Sequence, residues 1–282
     1  MANLHVTNLS SAGVGHEAGQ AAREAAPWLV RLARVGYAAK GTVYLVIGGL
    51  AVLATVGSRG GTTDSRGALT VIGDRPFGRA MLVVIGAGLV GYTLWALLAA
   101  AADAERRGSD LKGIALRLGM AARGLVYGAL GYSALRMALG GGARGGSATD
   151  RWTGTLMHAP AGRWLVAGAG AMVVVYALYQ FWRAATKNLR KRLHLAEAGP
   201  GAATWVLRLA RFGIAARGVV FLLIGWFLAQ AALRDDPARA GGIADSLAAL
   251  TNPLLLALVA LGLMAYGVWQ LANARYREMR VG

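Results

Sequence analysis

The chain has 282 residues, of which 56% are hydrophobic and 15% are charged, compared with about 25% charged residues in an ordinary globular domain. This composition is typical of an integral membrane protein. Thirty Lys and Arg residues against thirteen Asp and Glu residues give a net charge of +17, so most of the few charges are positive. The absence of cysteine excludes a disulfide-stabilised fold, a thiolate metal site and cysteine catalysis.

The first thirty residues predict a flexible cytoplasmic tail. Residues 1–26 combine Ala, Gly and Ser with scattered charges and lack the apolar core that a cleaved signal peptide requires. We therefore expect the first membrane span to stay in the protein as its own insertion signal.

Six apolar segments predict six transmembrane helices. A helix needs about 20 mostly apolar residues to cross the hydrocarbon layer, and three segments meet this requirement without interruption: 80–102, 164–182 and 253–274. Three shorter segments are bounded by basic residues: 41–58, 124–135 and 218–233. Their basic flanks must lie inside the edge of the hydrocarbon layer and extend outward along their aliphatic stems.

The basic residues are unevenly divided between the two sides of these spans. Twenty of the thirty Lys and Arg residues fall on the side that holds both termini. By the positive-inside rule, this asymmetry predicts a multi-pass membrane protein with both termini in the cytoplasm.

A single pattern opens each odd-numbered span. It reads RVGYAAKGTVYLVIG from Arg34, RLGMAARGLVYGALG from Arg117 and RFGIAARGVVFLLIG from Arg211. Each copy has Gly at +2, +7 and +14, a basic residue at +6 and an aromatic residue at +10. The even-numbered spans each carry two aromatic residues three positions apart: Tyr92 and Trp95, Tyr176 and Tyr179, Tyr266 and Trp269. This pattern divides the chain after the tail (1–30) into three repeats of two spans each, 31–110, 111–199 and 200–282.

The recurring glycine and arginine pattern resembles a bacterial and archaeal membrane family recorded as a domain of unknown function (number 1206). The resemblance covers roughly residues 31 to 280. It implies an all-α integral membrane fold in the bacterial inner membrane, with six transmembrane helices arranged as three tandem two-helix repeats around a pseudo-threefold axis. Copy one departs from the other two by having Lys40 where they have arginine. The family brings an expected fold and no known chemistry.

The repeated glycines form a stripe along each odd-numbered helix. Seven residues advance 700°, which is 20° short of two turns, so the glycines at +7 and +14 lie on one line. A bare stripe lets another helix approach closely, and we expect these six glycines to be helix-packing residues: Gly41, Gly48, Gly124, Gly131, Gly218 and Gly225. The alternative is a backbone left bare for a ligand.

The basic residues at +6 lie about 120° from the glycine stripe. They are Lys40, Arg123 and Arg217, and the aromatic residues one turn further on are Tyr44, Tyr127 and Phe221. We expect the three cations to extend to lipid phosphates at the membrane surface, and the even-span aromatic residues to form the interfacial aromatic belt. The alternative is that the cations gather at a central axis, beside the even-span aromatic residues, and bind an anion, a lipid headgroup or an acidic partner helix.

An aspartate in each outer loop predicts the start of a short helix. Asp64, Asp150 and Asp245 each precede a small or hydroxyl-rich stretch, which is typical of a helix N-cap.

Residues that carry catalytic chemistry are missing from the spans. None contains Asp, Glu or His, and no phosphate loop, Gly-x-Ser-x-Gly or His-Glu-x-x-His motif occurs. We therefore expect no enzymatic activity, no catalytic residues, no metal or cofactor and no nucleic-acid partner. The leading hypothesis is a non-catalytic module that binds anionic lipid or a partner membrane protein through its basic and aromatic residues. The alternative is a channel or carrier for an anionic or amphiphilic solute.

Overall fold

The computed structural model describes residues 10–56, 61–101, 110–141, 148–159, 161–186 and 200–276. Every regular element in these ranges is helical. The helices are α1 (Ser10–Thr55), α2 (Ser65–Gly73), α3 (Gly78–Ala101), α4 (Leu111–Ala138), α5 (Ala148–Met157), α6 (Gly162–Ala185), α7 (Pro200–Arg234), α8 (Ile243–Ala248) and α9 (Pro253–Tyr276), with a 3-10 turn at Pro237–Arg239.

Five segments of the described chain are long and apolar enough to cross a membrane, which indicates a multi-pass membrane protein. They are Ala33–Thr55 of α1, all of α3 and α6, Ala203–Arg234 of α7, and all of α9. Helix α4 matches them in length but is less apolar, because Arg123, Tyr127 and several glycines interrupt its aliphatic residues. The three uninterrupted segments of the sequence correspond closely to α3, α6 and α9.

The first long helix of each repeat begins earlier than we predicted. We expected the basic residues at +6 to flank the spans, but α1, α4 and α7 continue through them toward the N-terminus. The preceding residues are rich in Ala, Leu and Arg, which favour helix, and a cation does not interrupt the backbone hydrogen bonds. Helix α1 already begins at Ser10, so residues 10–30, where we expected a flexible tail, are helical. Residues 1–9 lie outside the described residues.

Of the three loop aspartates, Asp64 fulfils the predicted role. Its carboxylate accepts a hydrogen bond from the backbone N–H of Gly67 (2.8 Å) at the start of α2. The prediction is wrong for the other two as N-caps, since Asp150 lies inside α5 and Asp245 inside α8. Asp245 instead reaches back from the first turn and accepts a hydrogen bond from the backbone N–H of Gly242 (2.7 Å).

The six long helices pack as a curved row. In order of contact they are α4, α3, α1, α9, α7 and α6, and each packs along its neighbours. One continuous apolar core joins α1, α3, α4, α7 and α9, and a smaller cluster lies between α6 and α7. Helices α4 and α6, at the two ends of the row, are not packed along each other.

Each glycine stripe lies against a neighbouring helix. The stripe of α1 faces α9, that of α4 faces α3, and that of α7 faces α6. A Cβ added at Gly48 would lie 2.6 Å from the carbonyl oxygen of Ala260, and one added at Gly131 would lie 3.0 Å from that of Gly86. Each of the repeated glycines therefore lies at a close contact between two helices: Gly41, Gly48, Gly124, Gly131, Gly218 and Gly225.

Candidate functional site

The concave side of the row gathers the three repeated cations. We call this group the cation centre, and it comprises Lys40, Arg123 and Arg217 with the aromatic side chains Tyr44, Tyr92, Tyr127, Tyr176, Phe221 and Tyr266. The cations come from α1, α4 and α7, whereas the aromatic residues come from all six long helices.

Arg217 is held by tyrosine hydroxyls from three different repeats. Its Nε donates a hydrogen bond to Tyr44 Oη (3.1 Å), and its Nη1 donates to Tyr176 Oη (3.3 Å) and Tyr266 Oη (3.2 Å). The guanidinium also stacks over the ring of Phe221, with Cζ 4.6 Å from the ring centroid. The side chain is 6% exposed, so this residue is buried inside the helix bundle.

Lys40 lies over aromatic ring faces. Its Nζ is 4.2 Å from the centroid of Tyr127, 5.7 Å from that of Tyr266 and 5.8 Å from that of Tyr92. These rings belong to α4, α9 and α3. The residue is 3% exposed, and it shares the Tyr266 ring with Arg217.

Arg123 is the least buried of the three cations. It is partly exposed, and its charge interacts electrostatically with Tyr92, Tyr176, Tyr266 and Arg217. Tyr176 belongs to α6, so Arg123 and Tyr176 face each other from the two ends of the helix row.

The expected extension of these cations to surface lipid phosphates is wrong for Lys40 and Arg217. Both are buried because α1 and α7 each have a neighbour on two sides, which also covers the face 120° from the glycine stripe. The aromatic-belt interpretation fails for a related reason in α3 and α9, whose paired aromatic residues are no more than 4% exposed: Tyr92, Trp95, Tyr266 and Trp269. In α6, Tyr179 and Trp182 are exposed.

Three tyrosines of the even-numbered spans lie in the cation centre, as the alternative interpretation of the sequence expects. Tyr92, Tyr176 and Tyr266 occupy the same place in the three repeats, and each contacts Lys40 or Arg217. A Tyr near the end of a span is also typical of the interfacial belt, so its position within one span does not distinguish the two locations.

Positive charge is concentrated in the cation centre, where Arg123 and Arg217 repel each other. None of the six long helices contains Asp or Glu within residues 30–56, 78–101, 111–138, 162–185, 200–234 or 253–276, and tyrosine hydroxyls and aromatic ring faces contact the cations there. Burying a charge costs several kcal/mol, and a cation–π contact returns about 0.5–2 kcal/mol. This arrangement can therefore bind an anion, which would offset the repulsion between Arg123 and Arg217.

A buried amide lies close to this region in the sequence. Gln180 follows Tyr176 by one helical turn and is 0% exposed, and among the described residues its amide nitrogen and oxygen have no hydrogen-bond partner. Buried polar groups are normally hydrogen-bonded, so the Gln180 amide can still form hydrogen bonds with a further polar group.

Among the residues that the structure describes, no three of His, Asp and Glu lie together as metal ligands would.

Comparison with known proteins agrees with the threefold pattern of the sequence. The domain described as Domain of Unknown Function (DUF1206) matches residues 35–103, 118–187 and 212–277. The chain is also 33% identical over 261 residues to "Uncharacterized protein YxxB" of Bacillus subtilis (strain 168), an alignment that spans 91% of this chain and 94% of that protein. No solved structure matches. The chain therefore belongs to the DUF1206 family and contains its domain in three consecutive copies.

Proposed function

We propose that this protein is a non-catalytic membrane module whose cation centre binds the phosphate headgroup of an anionic lipid. The observation that carries this proposal is the convergence of Lys40, Arg123 and Arg217 among tyrosines, in the parts of α1, α4 and α7 (residues 30–56, 111–138 and 200–234) that contain no acidic residue. A guanidinium presents paired donors that match phosphate oxygens, and an ammonium adds a point charge. Tyrosine hydroxyls can donate further hydrogen bonds to the same anion.

We also propose six spans around a pseudo-threefold axis. Helix α4 carries the same fifteen-residue pattern as α1 and α7. Its stripe packs against α3 as that of α1 packs against α9 and that of α7 against α6. The distribution of basic residues further favours both termini in the cytoplasm. Single cysteines at Arg107 and Asp64 should then be labelled from opposite sides of the inner membrane, and labelling from the same side would overturn this orientation.

A carrier for an amphiphilic anion is the second candidate. It is favoured because Lys40 and Arg217 point into the bundle, as residues along a transport path would. The near-complete burial of both side chains, at 3% and 6% exposed, does not favour an open channel. An acidic helix of a partner membrane protein is less well supported, since a whole helix, which is much wider than a single headgroup, would have to reach these two buried cations.

Native mass spectrometry of the full chain with phosphatidylglycerol or phosphatidylcholine tests lipid binding. The variant Lys40→Gln, Arg123→Gln, Arg217→Gln should retain at least roughly tenfold less phosphatidylglycerol, because the loss of even one charge-assisted hydrogen bond, worth about 1.5–3 kcal/mol, weakens binding by that factor or more. The matched control is Arg31→Gln, Arg163→Gln, Arg208→Gln, which removes three exposed basic residues.

The control should bind phosphatidylglycerol as the parent protein does, and phosphatidylcholine should bind weakly to all three proteins. Equal retention of phosphatidylglycerol by the centre variant and the parent would overturn the proposal. Transfer of a fluorescent anionic amphiphile across proteoliposomes that depends on the three cations would favour the carrier instead.

A further inference from the structure

The two helices of repeat 2 remain apart, whereas those of repeats 1 and 3 pack together. The first glycine of each repeat shows this difference. A Cβ on Gly36 would meet the backbone of Gly88 in α3, and a Cβ on Gly213 would meet the backbone of Tyr266 in α9. A Cβ on the equivalent Gly119 of α4 would meet no atom within 4 Å. We call the opening between α4 and α6 the repeat-2 seam.

Equivalent positions on α1, α4 and α7, the first long helices of the three repeats, differ in burial. The valine at +9 is 1% exposed at Val43 and 2% at Val220, but 68% exposed at Val126. Since the three valines occupy the same place in the repeat, the difference arises from the missing α4 to α6 contact and not from residue type.

The α6 side of the seam is open in the same way. Val175 is 65% exposed, whereas Ala265 at the same place in α9 is 5% exposed. Tyr179 is likewise 42% exposed, whereas Trp95 and Trp269 are 3% exposed.

The sequence of repeat 2 explains why this pair does not close. Repeats 1 and 3 have Gly88 and Gly262 four residues before the conserved tyrosine position, but repeat 2 has Met172 there. One residue before that tyrosine, Val175 replaces the Gly91 and Ala265 of the other copies. Membrane helices approach closely through small residues, so the larger side chains keep α4 and α6 apart.

The seam leads to the most accessible cation of the centre. Arg123 on α4 and Tyr176 on α6 interact electrostatically across it, and both are only partly buried. Apolar side chains that correspond to helix-contact positions of the other repeats are exposed on both sides of the seam: Leu118, Val126, Met172 and Val175. An apolar cleft that ends at a cation matches the shape and charge of an anionic lipid.

We propose that the repeat-2 seam admits an anionic phospholipid laterally from the bilayer, with an acyl chain between α4 and α6 and the phosphate at Arg123. This inference rests on the proposed function and adds the route and the position of the lipid. An acyl chain fits better here than a partner helix, because Met172 and Val175 stand where helix contacts in the other repeats use Gly or Ala. Arg123, whose electrostatic neighbours are tyrosines and Arg217, selects an anionic headgroup.

A bulky residue in the seam tests this route without changing any charge. Val126→Trp should lower the amount of phosphatidylglycerol retained by the full chain in native mass spectrometry by about fivefold. Leu258→Trp is the matched control, since Leu258 is 55% exposed and lies on α9, which does not border the seam. Equal thermal unfolding midpoints of the two variants would show that both are folded.

Photocrosslinking locates the lipid independently. Phosphatidylglycerol with a diazirine on its acyl chain should crosslink to α4 and α6 around Val126 and Val175 in preference to Leu258. Unlabelled phosphatidylglycerol should suppress these crosslinks, and phosphatidylcholine should not.

The outcomes separate this inference from the proposed function. Loss of phosphatidylglycerol on removal of the three cations, with no effect of Val126→Trp and evenly spread crosslinks, would retain the binding function and overturn the lateral route. Crosslinks in the seam that phosphatidylcholine suppresses equally would overturn the anionic headgroup. Disulfide-linked dimers of Val126→Cys that exclude the lipid would show that a second copy occupies the seam and would overturn the inference.

Discussion

The hydroxyls around Arg217 act as its hydrogen-bond partners in place of a carboxylate. We expect Tyr266→Phe to lower the free energy of unfolding by about 1.5–3 kcal/mol, the usual cost of losing a hydrogen bond to a charged group. The aromatic ring and its packing against Tyr44 would remain. Thermal unfolding in detergent measures the effect, and Tyr132→Phe, at a position 67% exposed, is the control. Equal stability of the two variants would show that this hydroxyl does not stabilise Arg217.

Individual residues of the centre could be located from the sequence, but their burial could not. The recurrence of Lys40, Arg123 and Arg217 at one place in three copies identified them as a set. A cation at +6 of an isolated helix is equally compatible with lipid phosphate and with the bundle interior. The choice depends on which helices cover that face, and this is decided by contacts between repeats, such as that of Tyr44 with Arg217.

At the level of the helix, adjacent glycines of α1 allow a matched test of packing. A Cβ at Gly48 would lie 2.6 Å from both the Ala260 carbonyl oxygen and Met264 Cγ, whereas one at Gly49 would meet nothing within 4 Å. Gly48→Ala should therefore destabilise the protein by about 1–3 kcal/mol through overpacking of α1 against α9. Gly49→Ala should stabilise it by about 0.5–1 kcal/mol, because Ala favours helix. Thermal unfolding in detergent measures both, and a Gly48→Ala variant as stable as Gly49→Ala would contradict the close contact.

The helices themselves were predictable where apolar residues run without interruption. Hydropathy alone fixes α3, α6 and α9 to within a few residues. It fails for α1, α4 and α7 because it treats a basic residue as the end of a span, whereas in the structure Lys40 and Arg217 are stabilised by aromatic rings of other helices. The partners of a buried cation are distant in sequence, so a local window cannot detect them.

At the level of the whole molecule, the two long helices pack together in repeats 1 and 3 but not in repeat 2. The pattern shared by the copies predicts three equivalent hairpins, and it gives no reason to expect that one hairpin stays open. That difference lies outside the shared pattern, at Met172 and Val175, where the side chains are larger than in the other copies. Similarity between repeats therefore predicts the packing of the glycine stripes, and the departures from similarity locate the seam.

Alanine substitution at the first glycine of each repeat tests this inequality directly. Gly36→Ala and Gly213→Ala should each lower the free energy of unfolding by about 1–3 kcal/mol, because the added Cβ would meet the backbone of α3 or α9. Gly119→Ala should raise it by about 0.5–1 kcal/mol, since the Cβ has open space and Ala favours helix. The three substitutions are identical in chemistry and in repeat position, so intrinsic helix propensity cancels between them. Thermal unfolding in detergent compares them, and three equal destabilisations would mean that α4 and α6 pack together as closely as the helices of repeats 1 and 3.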